Sequence, residues 1–171
     1  MIGALLSGIL LMSPFDVSQA AAQSAATQSA AGQSVPNRSS FMSHAVGTFE
    51  VQITPVPPAT DAPADAHGRM QLSKTFQGGL EGRGLGEMLA LRTGSDGAYV
   101  AMERVTGTLG GRHGAFSLVH RGIMDAGAQE LLITIVPGSG EGELAGISGV
   151  FHLTIADGEH RYDLEYSLPE A

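Results

Sequence analysis

From Val46 to Leu168 the chain is a succession of extended runs rich in β-branched residues, each closed by glycine or proline. That punctuation leaves no stretch with a sustained period of 3.6 residues, so long helices are excluded and an all-β fold is predicted. Eight strands follow: Val46 to Thr54, His67 to Gln77, Leu80 to Thr93, Ala98 to Leu109, Arg112 to Met124, Gln129 to Val136, Gly149 to Ala156 and His160 to Leu168. The first two are separated by PVPPATDAPAD, a loop, because proline has no N–H to give to a ladder and fixes φ. The 24 glycines and the absence of Trp fit short elements joined by many turns.

Three dipeptides set the register. Gly78-Gly79, Gly110-Gly111 and Asp157-Gly158 read as two-residue hairpin loops, whose central residues need positive φ. Across Gly110-Gly111, Glu103 then faces Leu118 and Ala101 faces His120. One face of that hairpin collects Tyr99, Ala101, Glu103, Val105, Phe116, Leu118 and His120. Across Asp157-Gly158, Phe151, Leu153, Ile155, Tyr162, Leu164 and Tyr166 share an apolar face, with His152 opposite Asp163 on the polar one. Across Gly78-Gly79 the same count groups Met70, Leu72 and Phe76 with Leu85, Glu87, Leu89 and Leu91. Eight antiparallel strands with one buried face close most simply as a barrel, which abolishes exposed edges. A two-sheet sandwich is the alternative.

The domain organisation has three parts. Residues 1–20 contain the apolar run Ile2 to Met12 and small residues at Ser18 and Ala20, the pattern of a signal peptide and too short to span a bilayer. Residues 21–43 are a flexible linker rich in Ala, Ser and Gln, and residues 44–171 form one barrel domain. A signal peptide implies export, to the periplasm in a bacterium. No Lys or Arg precedes Arg38, however, and a translation start near Met42 would leave a cytoplasmic protein. With 9 basic and 17 acidic residues the net charge of -8 leaves no footprint for nucleic acid or anionic lipid. The chain has no Cys, which excludes disulfides, thiol nucleophiles and thiolate metal sites.

The sharpest chemical constellation is Glu103 with His120. Neighbouring on one inward face beside Tyr99 and Phe116, a carboxylate and an imidazole are candidates for catalytic acid–base work in an apolar cavity; the alternative is a buried pair that only organises the core. Glu87, in GRGLGEML, is a third candidate cavity carboxylate, or else an acid at a barrel rim. No metal site is expected, since no His pair has metal-ligand spacing and His152 with Asp163 reads as a solvated pair. Ser139 lacks the glycines of a nucleophile elbow. The glycine series VPGSGEGELAGISG is not a phosphate loop either, because the sole lysine of the protein is Lys74 and the Rossmann spacing is missing. It reads as a bend between the sixth and seventh strands, with GELAGIS able to make a single turn.

Five blocks, GTFEV, GEMLALRT, YVAMERVTGTLGGRHGAF, VPGSGEGELAGISG and IADGEHRYDLEY, together resemble the bacterial family designated domain of unknown function 3224. The resemblance covers the chain from about Met42 onward. It implies an eight-stranded antiparallel barrel similar to allene oxide cyclases and dirigent proteins, which bind apolar small molecules in the barrel without a cofactor. It also implies lateral association into homo-oligomers. The first functional expectation is therefore a barrel that binds an apolar ligand against Tyr99, Glu87, Phe116, Leu118, Phe151 and Tyr162, with Leu131, Ile133, Leu153 and Leu164 completing the lining. A cofactor-free isomerase or cyclase using Glu103 and His120, and a structural barrel with a filled core, are the alternatives.

Overall fold

In the computed structural model, residues 42–58, Asp61 and residues 67–169 are described. The signal peptide and most of the linker expected from the sequence lie outside the described residues. The first described strand is β1, Ser43–Val56. The remaining strands are β2 Gly68–Gly78, β3 Leu80–Thr93, β4 Asp96–Leu109, β5 Arg112–Asp125, β6 Ala128–Ile135, the two-residue β7 Glu141–Gly142, β8 Ser148–Ala156 and β9 Glu159–Ser167. Each long strand pairs antiparallel with its sequence neighbours, and β1 pairs with β9 to close the sheet. The result is the expected eight-stranded meander barrel rather than a sandwich, with β7 as a short addition to β5.

Local chemistry explains most of the register. Gly110 and Gly111 have φ of 57° and 82°, and Asp157 and Gly158 have 54° and 80°, so both loops turn with two residues in the left-handed region. Leu109 pairs with Arg112, and Phe151 pairs with Leu164, as the hairpin count requires. The Gly78-Gly79 corner departs from expectation. Phe76 pairs with Gly82, and the register pivots on Gly79 instead of between the two glycines. Because side chains alternate, that single-residue shift turns all of β3 over. Gly82, Gly84, Gly86, Met88 and Ala90 share the inward face with Met70, Leu72, Lys74 and Phe76. Leu85, Glu87, Leu89 and Leu91 point outward.

The barrel is solid in one half and open in the other. Leu80, Leu109, Phe116, Leu118, Ile135 and Leu164 fill the half nearest the Gly110-Gly111 turn. The glycine-rich segment after β6 stoppers that end. Its turns, closed by Leu144 N–H to Glu141 O and Ile147 N–H to Leu144 O, drive Leu144 and Ile147 into the core. Ser139 is structural here, its hydroxyl donating to Val136 O at 2.7 Å and accepting from the Ser117 N–H at 3.0 Å. At the opposite end the inward positions of β2, β3, β5 and β6 become Met70, Met88, Met124 and Leu131, and the interior opens.

Candidate functional site

The open half encloses a cavity of about 410 Å³. Its wall is apolar, built by Phe49, Val51 and Ile53 of β1, Met70 and Leu72 of β2, Met88 and Ala90 of β3, Ala101 of β4, Met124 and Ile133 of β5 and β6, and Leu153 and Ile155 of β8. Lys74 and His120 also line it, and both are buried. The Nζ of Lys74 donates to Oε2 of Glu103 at 2.7 Å, and Nε2 of His120 stands 3.0 Å from the same oxygen without the alignment of a hydrogen bond. Glu103 itself does not reach the cavity: its side chain has 0% exposure and sits behind the other two.

The neighbouring residues explain how three ionisable groups come to lie together in a core. Gly84, paired opposite Val105 on the adjoining strand, carries no Cβ, and one built there would overlap Oε1 of Glu103. The glycine is what leaves room for the carboxylate. Oε1 has no hydrogen-bond partner among the described residues. The Lys74 ammonium lies 4.7 Å from the centre of the Phe49 ring and 5.7 Å from those of Phe76 and Phe151. Aromatic faces offset part of the cost of desolvating a cation. Burial alone would raise the Glu103 carboxyl, but the opposing pull of His120 and Lys74 prevails and holds it below the ordinary carboxylate range.

Comparison with known proteins decides the lineage. Residues 45–166 match the sequence profile of the family described as "Protein of unknown function (DUF3224)". The chain belongs to the DUF3224 family. It is similar to a solved member, the crystal structure at 1.84 Å of a protein with unknown function from the DUF3224 family of Shewanella oneidensis MR-1. The two are 40% identical with a TM-score of 0.70, over 77% of this chain and 100% of the other. No curated protein matches the chain.

In this DUF3224 barrel the residues expected from the sequence divide sharply. Glu103 and His120 are brought together, as the Gly110-Gly111 register requires. Tyr99, Ile133 and Leu153 line the cavity; the Tyr99 ring fits because residue 122 is glycine, and burial raises its phenol. Phe116, Leu118 and Leu164 do not line it, being fully buried in the solid half. Phe151 and Tyr162 stack with ring centres 5.3 Å apart beneath the cavity. The Tyr162 hydroxyl has a structural task, accepting from Leu80 N–H at 2.8 Å and lying 3.1 Å from Gln77 O, so it pins the Gly79 corner. Glu87 is corrected to the outer surface, where it accepts from Arg69 at 2.9 Å, a consequence of the flipped β3. Leu131 is exposed at the mouth. Asp163 bonds to His44 rather than to His152, whose ring approaches Glu165 at 3.6 Å.

Lys74 is the residue of the candidate site that sequence reasoning missed. Its signal was present, since the one lysine of the chain alternates with Leu72 and Phe76 on a face that must point inward. Among the described residues no three His, Asp or Glu side chains converge as metal ligands.

Proposed function

We propose that this barrel binds an apolar small molecule in its open half. The observation that carries the reading is the roughly 410 Å³ cavity, apolar on its walls and polar only at a few fixed points. Its size and character are those of small-molecule sites, which span about 300–1,000 Å³. Met70, Met88 and Met124 around the opening give it adaptable walls, because the thioether chain repacks at low cost. The barrel type that the family resemblance implies, similar to allene oxide cyclases and dirigent proteins, supports a function seated inside the barrel.

Fluorescence titration with the neutral apolar probe N-phenylnaphthylamine tests the proposal. A saturable rise is expected in the wild type, with loss of binding in Ala101→Phe, which fills the cavity above the ionic group. Equal binding by both proteins, or by neither, would overturn the reading.

The position of His120 on the cavity floor favours one second reading, a cofactor-free isomerase or cyclase. His120 would exchange the substrate proton, and Glu103, shielded from the cavity, would be a positioning residue that orients the imidazole. Turnover that survives His120→Gln would sink this reading. Homo-oligomerisation is also proposed, supported by outward Val100, Met102, Val119 and Leu132 on adjoining strands, all exposed. A monomer mass in sedimentation at micromolar concentration would remove it.

A further inference from the structure

We infer that the ligand carries a carboxylate head, seated against Lys74 and His120, on an apolar tail directed toward the mouth. The inference rests on the binding reading above and goes beyond it by naming the chemistry of the head.

Among the described residues, the polar side chains that line the cavity are Lys74, Arg92, Tyr99, His120 and His160. No Asp or Glu stands among them. Every one of these groups can donate a hydrogen bond, and four of them are cations or become cations on protonation. A ligand with an ammonium head would meet only like charge and competing donors. One with a carboxylate meets complementary groups.

The deep end of this donor set is already organised. The Lys74 ammonium has about three N–H donors, and among the described residues the one side-chain acceptor it meets is Oε2 of Glu103. Glu103 cannot itself face the ligand, since Lys74 and His120 cover it. Its carboxylate neutralises one cation from behind and leaves the remaining donors of Lys74 for an incoming acceptor. A carboxylate head placed there would sit at the bottom of an apolar shaft walled by Val51, Met70, Met88, Ile133 and Leu153. Charge-assisted hydrogen bonds are strongest where water is excluded.

The test holds the tail constant and changes the head. Decanoate, decanol and decylamine are each titrated against the full chain loaded with N-phenylnaphthylamine, with calorimetry of decanoate alone in parallel. Decanoate is expected to displace the probe at about tenfold lower concentration than the other two, the advantage of a charge-assisted over a neutral hydrogen bond. The double variant Lys74→Met with Glu103→Gln leaves neither an ammonium nor a carboxylate unpaired in the core, so it separates binding from folding. It is expected to hold N-phenylnaphthylamine and to lose the preference for decanoate. Decanol or decylamine matching decanoate in the wild type, or a preference that persists in the double variant, overturns the carboxylate assignment and leaves apolar binding standing. Neither probe fluorescence nor decanoate heat overturns both.

Discussion

Glu103 is held in the core by compensation rather than by affinity for apolar surroundings. Removing one member of a buried ion pair strands the other, at a cost of about 3–5 kcal/mol, whereas removing both can be nearly neutral. Lys74→Met and Glu103→Leu are therefore each expected to lower the unfolding free energy by about 4 kcal/mol, and the double variant Lys74→Met with Glu103→Leu by much less, in urea titrations. The pH dependence has a definite sign. Because the Glu103 carboxyl is held below its ordinary range when folded, its contribution is present above that range and is lost as pH falls through the depressed value. Acid unfolding is expected to shift to lower pH in the variant Lys74→Met with Glu103→Gln. His44 runs the opposite way: its hydrogen bond to Asp163 raises it above 6.5. What this contact adds is present below that value and fades as pH rises through the raised one, and proton NMR titration of the His44 ring in Asp163→Asn, expected to fall toward the ordinary range, checks it. Glu103 and His120 were legible because both depend on one local turn. For Lys74 only the inward position was legible, from its alternation with Leu72 and Phe76; what keeps a lysine there was not, since that depends on a carboxylate supplied from another strand.

The elements show the same divide between local and distant causes. The Gly110-Gly111 and Asp157-Gly158 hairpins follow from the φ preferences of their own two residues. The Gly78-Gly79 corner does not: Gly79 N–H donates to Val46 O, Gly79 O accepts from Gly110 N–H, and the Tyr162 hydroxyl grips both Gln77 and Leu80. Two other strands, β1 and β9, and the Gly110-Gly111 turn thus choose its register, and the orientation of Glu87 was illegible from β2 and β3 alone. Tyr162→Phe is expected to cost about 2 kcal/mol in chemical denaturation by orphaning the Leu80 N–H. Gly84→Ala is expected to cost about 2 kcal/mol through overpacking against Glu103. Near-normal stability of Gly84→Ala would show that the carboxylate does not occupy that space.

The whole molecule sorts its apolar residues by two surfaces, an inner one that is half solid and half open, and an outer one across β3 to β6 that carries Leu89, Val100, Met102, Val119 and Leu132. Outward substitutions such as Val100→Thr and Met102→Gln are expected to change stability by no more than about 0.5 kcal/mol, since little burial is lost. A larger loss in monomeric protein would mean that this face is packed. The stopper of Leu144 and Ile147 closes one end, so any molecule entering the cavity would have to pass the methionine mouth. The lone lysine at the floor of that blind shaft is also a ready-made spectroscopic sentinel. Isotopic labelling with nitrogen-15 lysine would place a single side-chain resonance in the entire protein, and burial with a bonded carboxylate slows the proton exchange that erases such signals from exposed amines. Cavity occupancy could then be followed at one atom, with no added dye and no engineered tag.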